Sequence, residues 1–344
     1  MASGTGGLIP RFTATVLTCS HAVLGVLGVL RTKPWPLVRS AAVLAAAALA
    51  LPACGSAAPD TSPNSGSGHA TGPASAGQNA SARTPAGNAG QAATLPAIAH
   101  TVVVVMENHS YGEAIGNPQA PYINQLAGQG TVFTNSHAVA HPSEPNYLAL
   151  FSGSTQGVSS DSCPVTFDTT NLASELIAAH KTFTGYAESL PAAGGSVCSS
   201  GEYARKHVPW VDFSNVPPSA TRSLTSFPTG NYGQLPDVSF VIPNLCNDMH
   251  DCSVATGDSW LKRTMGGYAT WAQQHASLLI VTWDEDDGSA SNQIPTIFVG
   301  QQVRTGKSAV AITHYSVLHT IESLYRLPPN ANAATAAVIT SVWR

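Results

Sequence analysis

The stretch "AIAHTVVVVMENHSYG", Ala97 to Gly112, sets the first constraint on the fold. Five consecutive β-branched residues, Thr101 to Val105, leave no alternate polar positions for a water-facing side. A run that is apolar at every position is typical of a strand buried on both faces, as in a parallel sheet covered by helices on each side. Three further segments have strand character: "DVSFVIPN" (Asp237 to Asn244), "SLLIVTW" (Ser277 to Trp283) and "PTIFVG" (Pro295 to Gly300). Helical stretches lie between and after them: "APYINQLAGQG", "NLASELIAAH", "DSWLKRTMGGYATWAQQH" and "HYSVLHTIESLYRL". This alternation predicts an α/β fold, a mostly parallel central sheet sandwiched by helices. Ligands in such folds gather at the carboxyl ends of strands. Three polar clusters follow strand ends here: Glu107-Asn108, the run from Asn244 to Asp251, and the four adjacent acids Asp284, Glu285, Asp286 and Asp287.

The folded domain is expected to span residues 95–344, a size at which one domain buries a sizeable core. Residues 55–94 are dominated by Ala, Gly, Ser, Pro, Thr and Asn and read as a tether that cannot bury enough apolar surface to order itself. Residues 1–54 read as a signal region, with Arg39 followed by the apolar run Ala41 to Leu51. The ending Leu51-Pro52-Ala53-Cys54 resembles a bacterial lipobox, in which Cys54 would carry the lipid and provide the membrane contact. Export follows from this reading, as a secreted protein or a cell-envelope lipoprotein. The net charge of −4, with 15 Lys and Arg and no basic run, argues against a nucleic-acid partner. A monomer is expected.

Four cysteines fall in the domain: Cys163, Cys198, Cys246 and Cys252. In an oxidising compartment an even count suggests two disulfides, and the short separation of Cys246 and Cys252 favours the pairings 246–252 and 163–198. The competing reading of "CNDMHDC" is a zinc–thiolate site. The segment "GQQVRTGKS", Gly300 to Ser308, imitates a phosphate-binding loop. It has five residues between its glycines where the motif needs four, and no helix follows, so it reads as a plain loop.

Several residues could carry chemistry. Adjacent carboxylates repel one another unless something positive sits between them, so Asp284 and Glu285 suggest a divalent cation rather than a solvated turn. Glu107 and Asn108 offer oxygen ligands directly after a buried strand, although Asn108 also suits an ordinary turn. In "HPSEPNYLALFSG", Pro145 suits a first helical turn and Gly153 the end of the helix. Ser143 is then either a helix cap or a nucleophile, with the helix amino-terminus cradling a phosphoryl group. "YARKHVPW" clusters Arg205, Lys206 and His207 in a chain poor in cations, as either a solvated loop or a set of phosphate contacts with His207 as donor or proton carrier. "NDMHDC" surrounds His250 with Asp248 and Asp251, which suits a general acid. His314 reads as a helix start in preference to a ligand of a second metal.

These motifs, "MENHSY", "HPSEPNYLALFSG", "YARKHVPW", "VIPN…DMHD" and "VTWDEDDG", resemble in order those of the bacterial phosphoesterase family of acid phosphatases and phospholipases C. The resemblance implies an alkaline phosphatase-like fold over residues 96–344. It implies Ser143 as the phosphoryl-accepting nucleophile and Glu107, Asn108, Asp284 and Glu285 as ligands of a divalent metal ion. It also implies that His207 and His250 contact the phosphate or protonate the leaving group. Arg205, Lys206 and Asp251 would complete the substrate contacts. The implied activity is a secreted, metal-dependent acid phosphatase acting on a phosphomonoester through a phosphoserine, with a phosphoinositide such as phosphatidylinositol 3-phosphate as a candidate substrate. The alternative is a phospholipase C-type phosphodiesterase.

Overall fold

A computed structural model describes residues 95–192, 194–289 and 291–344. The signal region, Cys54 and the tether lie outside the described residues. In chain order the strands are β1 (His100–Met106), β2 (Thr131–Phe133), β3 (Ser136–His137), β4 (Phe183–Ala187), β5 (Ser199–Ser200) and β6 (Tyr203–Ala204). They continue with β7 (Thr221–Ser223), β8 (Val238–Ile242), β9 (Ser277–Trp283), β10 (Thr296–Val299), β11 (Gly306–Ser308) and β12 (Ile312–Thr313). The helices are α1 (Tyr111–Ala114), α2 (Pro121–Gln129), α3 (Ser143–Ser152), α4 (Leu172–Ala178), α5 (Val254–Ala272) and α6 (His314–Leu324).

Eight strands form one sheet in the order β11-β2-β10-β9-β1-β8-β4-β7. The pairings of β1 with β8 and β9, of β4 with β7 and β8, and of β11 with β2 are parallel; only β10 runs against its neighbours. The mostly parallel α/β sandwich expected from the sequence is what forms. Val102 to Val105 are buried on both sides of the sheet, and burying each Val contributes roughly 1.5 to 3 kcal/mol. Val103 and Val105 face α3, α4 and α6, whereas Val102, Val104 and Met106 face α2 and α5. The segment read as a plain loop needs one correction. Its last three residues form β11, because main-chain pairing with β2 extends the sheet edge and no side-chain pattern is required for that.

Two features aim the layers at a site. The register pairs Met106 with Trp283, so the strands on which Glu107 and Asp284 follow end level with each other. Asp284 N–H then donates to Met106 O at 3.0 Å, and Glu107 N–H donates to Asp248 O at 2.9 Å. The second feature is α3, whose ten residues are all buried. Its polar first turn cannot face water and must find partners inside the protein. Its last turn ends at Gly153, where φ is +71° and an added Cβ would meet Asn330 O at 2.2 Å. Gly153→Ala is therefore expected to lower stability by about 1–3 kcal/mol. A denaturation midpoint unchanged from wild type would show that this close approach carries no weight.

Candidate active site

Glu107 is fully buried at the end of β1 and is the centre of the cluster. Ser143 Oγ donates within 3.2 Å of Glu107 Oε2 and lies 3.2 Å from Glu285 Oε1. Ser143 is the first residue of α3, Pro142 occupies the cap position, and the Ser side chain caps nothing. The cap reading of Ser143 is thus corrected: its hydroxyl faces carboxylates from two strand ends. Tyr147, one turn later on the same face, donates to Glu107 Oε1. Burial raises the Tyr147 hydroxyl well above its usual pKa, so it stays a donor.

On the other side of Glu107 stands His207, buried and stacked on the Tyr147 ring at 5.1 Å. Its Nε2 is 3.2 Å from Glu107 Oε1 and its Nδ1 is 3.4 Å from Asp248 Oδ2. Burial pushes the His207 imidazole well below its ordinary pKa, so it is neutral. His250 is more exposed, and its Nδ1 pairs with Asp251 Oδ1 at 2.7 Å. Glu107, His207 and His250 each offer a ligand atom, all within 4.8 Å of one another.

The acids at the end of β9 divide by environment. Asp284 Oδ1 accepts the main-chain N–H of Asn108 at 3.1 Å, and its Oδ2 is buried without a hydrogen-bond partner. Glu285 Oε2 pairs with His141 Nδ1 at 2.6 Å. Asp286 is buried and accepts the N–H groups of Gly288 and Asn292, whereas Asp287 is exposed and accepts Ser289. Burial and the charge of Glu285 raise the Asp284 carboxyl to about 8. Burial raises Asp248 to about 7, and burial with Asp284 and Asp248 lifts Glu107 well above the carboxylate range.

The structure brings together Ser143, Glu107, Asp284, Glu285, His207 and His250. Asn108 meets Asp284 through its main chain. Lys206 lies close enough for its charge to act on Glu107 and Asp284. Arg205 does not join them. Its guanidinium is buried against Asp212 at 2.8 Å and against the carbonyls of Ser196 and Val165, so it ties loops together instead of reaching the cluster. Asp251 is exposed and touches the cluster only through His250. His314 starts α6 as expected, with Nε2 against Asp284 O at 2.7 Å and burial lowering its pKa to about 4. The cysteines pair as 163–198 and 246–252, which removes the thiolate reading and closes the loop carrying Asp248 and His250. Sequence reasoning missed His141 and Tyr147, and it named Asp248 only as a neighbour of His250, not of His207. The four-residue spacing of Ser143 and Tyr147 on a helix was the signal for Tyr147.

Residues 117–328 match the phosphoesterase family. The chain belongs to that family. It is 54% identical over 254 residues to the phosphatidylinositol-3-phosphatase of Mycobacterium tuberculosis, covering 73% of this chain and 85% of that enzyme. It is 31% identical to an acid phosphatase of Aspergillus fumigatus over 65% of this chain, and spans 54% of that enzyme's length. Among solved structures, a Bacteroides thetaiotaomicron protein from work on glycosaminoglycan metabolism overlays with a TM-score of 0.51 at 12% identity, covering 70% of this chain and 81% of that one. A Vibrio parahaemolyticus protein described as a member of the alkaline phosphatase superfamily gives a TM-score of 0.49 at 12% identity over 71% of each chain.

The raised carboxyls set a stability rule for the protein without a bound cation. In the unfolded chain these acids titrate near 4, roughly. Below that pH both states hold the protons and nothing is lost. As pH rises towards 7 and 8, the folded state retains protons that the unfolded chain has released, so stability falls. The chelator-treated protein should therefore melt at a lower temperature at pH 8 than at pH 5, and a divalent cation should restore the difference at pH 8. A cation-free melting temperature that rises with pH over this window contradicts the assignment.

Proposed function

We propose that the chain is a metal-dependent phosphomonoesterase that works through a phosphoserine at Ser143. It is a phosphatase by family, and the observation that carries the finer reading is the Ser143 hydroxyl, uncapped at the start of α3 and within 3.2 Å of two buried carboxylates. The buried, partnerless Asp284 Oδ2 and the raised acids fit a cation. Glu107, Asp284 and Glu285 would supply a hard oxygen set for it. Such an ion would neutralise phosphoryl oxygens and favour the ionised form of a nearby hydroxyl.

The residues divide the remaining work. Ser143 Oγ attacks phosphorus in line, its proton passes to Glu107 or Glu285, and the bond from phosphorus to the ester oxygen breaks. The leaving oxygen takes a proton from His250, whose Nδ1 is held by Asp251 and which solvent can reprotonate. The sequence left His207 and His250 equal in this role. Burial separates them, because neutral His207, set between Glu107 and Asp248, is suited to orienting and not to donating. Water then attacks phosphorus and gives a proton to His250, the bond from phosphorus to Ser143 Oγ breaks, and Oγ takes back the proton held by Glu107 or Glu285 as phosphate leaves. Tyr147 and His141 fix Glu107 and Glu285 in place.

Phosphatidylinositol 3-phosphate is the proposed natural substrate, on the strength of the relative matched over 85% of its length. Export is proposed from the signal-like leader and the two disulfides. Among the described residues no helix is long and apolar enough to cross a membrane.

Ser143→Ala should lower turnover of p-nitrophenyl phosphate by at least about a thousandfold with the fold intact; retention of most activity would mean the hydroxyl is not the nucleophile. Parallel assay of p-nitrophenyl phosphorylcholine tests the phosphodiesterase alternative, which gains if the diester is the faster substrate. His250→Gln should slow an alkyl phosphate far more than p-nitrophenyl phosphate, because nitrophenolate needs little protonation to leave. Equal losses on both substrates would remove His250 as the acid.

A further inference from the structure

Asp161 belongs to none of the motifs above, yet it binds two of their members. It sits in the loop that follows α3, which returns to the amino-terminus of that helix. Its Oδ1 accepts the main-chain N–H of Glu144, the residue next to the nucleophile, at 3.1 Å. Its Oδ2 accepts Lys206 Nζ at 2.7 Å. The contact is returned one residue later, where Ser162 N–H donates to the buried Glu144 Oε2 at 2.5 Å. The Cys163–Cys198 bond ties the same loop to the segment that leads to Lys206.

Lysine is a point charge on a flexible stem and does not hold its own orientation. The charges of Glu107 and Asp284 act on the ammonium. Attraction alone would draw the ammonium among those acids, where it would occupy the centre of the site. Asp161 offers a carboxylate at the rim instead. We propose that Asp161 is a positioning residue, which holds Lys206 at the rim of the site to take a phosphoryl oxygen of the substrate and keeps it out of the carboxylate centre. The inference rests on the phosphomonoesterase reading and adds a residue that works through Lys206.

The test is a double-mutant cycle of Asp161→Asn, Lys206→Ala and the pair. The readouts are KM and kcat for p-nitrophenyl phosphate, Ki for inorganic phosphate, and the melting temperature. Each single variant is expected to raise KM and the phosphate Ki by about tenfold, with kcat changed less, as loss of one charge-assisted phosphate contact predicts. The double variant should be no worse than Lys206→Ala, because the two residues act as one unit. Losses that multiply to about a hundredfold, or an Asp161→Asn enzyme with unchanged KM and Ki, overturn the proposal. Should Asp161→Asn fail to fold, Asp161→Glu takes its place. It must raise the phosphate Ki in the wild-type background and lose that effect in Lys206→Ala; an equal effect in both overturns the proposal. A wild type that hydrolyses no phosphate monoester removes the underlying reading, whereas an active wild type with an insensitive Asp161 removes only this inference.

Discussion

The structure turns on the repulsion among buried carboxylates at the ends of adjacent parallel strands. Two such charges about 4 Å apart oppose each other by about 4 kcal/mol at an effective dielectric constant near 20. That is a large share of the roughly 5–15 kcal/mol by which a domain is stable. Glu107, Asp284, Asp248 and Glu285 remain together because main-chain bonds between the strand ends hold them there, independently of what their side chains prefer. A site of this kind selects for a proton or a cation.

The helix that supplies that hydroxyl is shaped by the same requirement. All of α3 is buried, so its polar first turn is satisfied from within: Asn146 accepts the N–H groups of Val139 and Ala140, Glu144 accepts Ser162, and Asp161 accepts Glu144. The opposite end is fixed by Gly153 against Asn330. The helix is therefore held at both ends, which limits the motion of the Ser143 hydroxyl. Burial also separates two histidines of similar chemistry. His207, enclosed between carboxylates and the Tyr147 ring, stays neutral, while His250 keeps access to solvent.

Much of this was legible beforehand, and the reasons differ from residue to residue. The Thr101–Val105 run and the Ser277–Trp283 strand carried their own signal, because burial on both faces demands uninterrupted apolar residues. The acids after them stood out for lacking any role in a strand. β11 was missed because an edge strand is held by main-chain pairing, which leaves little trace in side chains. Arg205 looked like a phosphate contact beside Lys206, but Asp212 holds it in the interior, and no spacing rule foretells which of two adjacent cations finds a buried partner. Asp161 was invisible for the same reason.

The sequence by itself determined the α/β class, the strands that end in the site, the cysteine pairing it favoured and the residue types available for phosphoryl chemistry. Those properties are local, set by periodicity, by charge and by short-range geometry. Only the tertiary structure decided which side chains share a space: that Ser143 faces carboxylates and caps nothing, that Tyr147, His141 and Asp248 join the cluster, and that Arg205 leaves it. Such contacts link residues far apart in the chain, 142 positions for Ser143 and Glu285, and they follow from strand register and burial, which exist only once the chain has closed on itself.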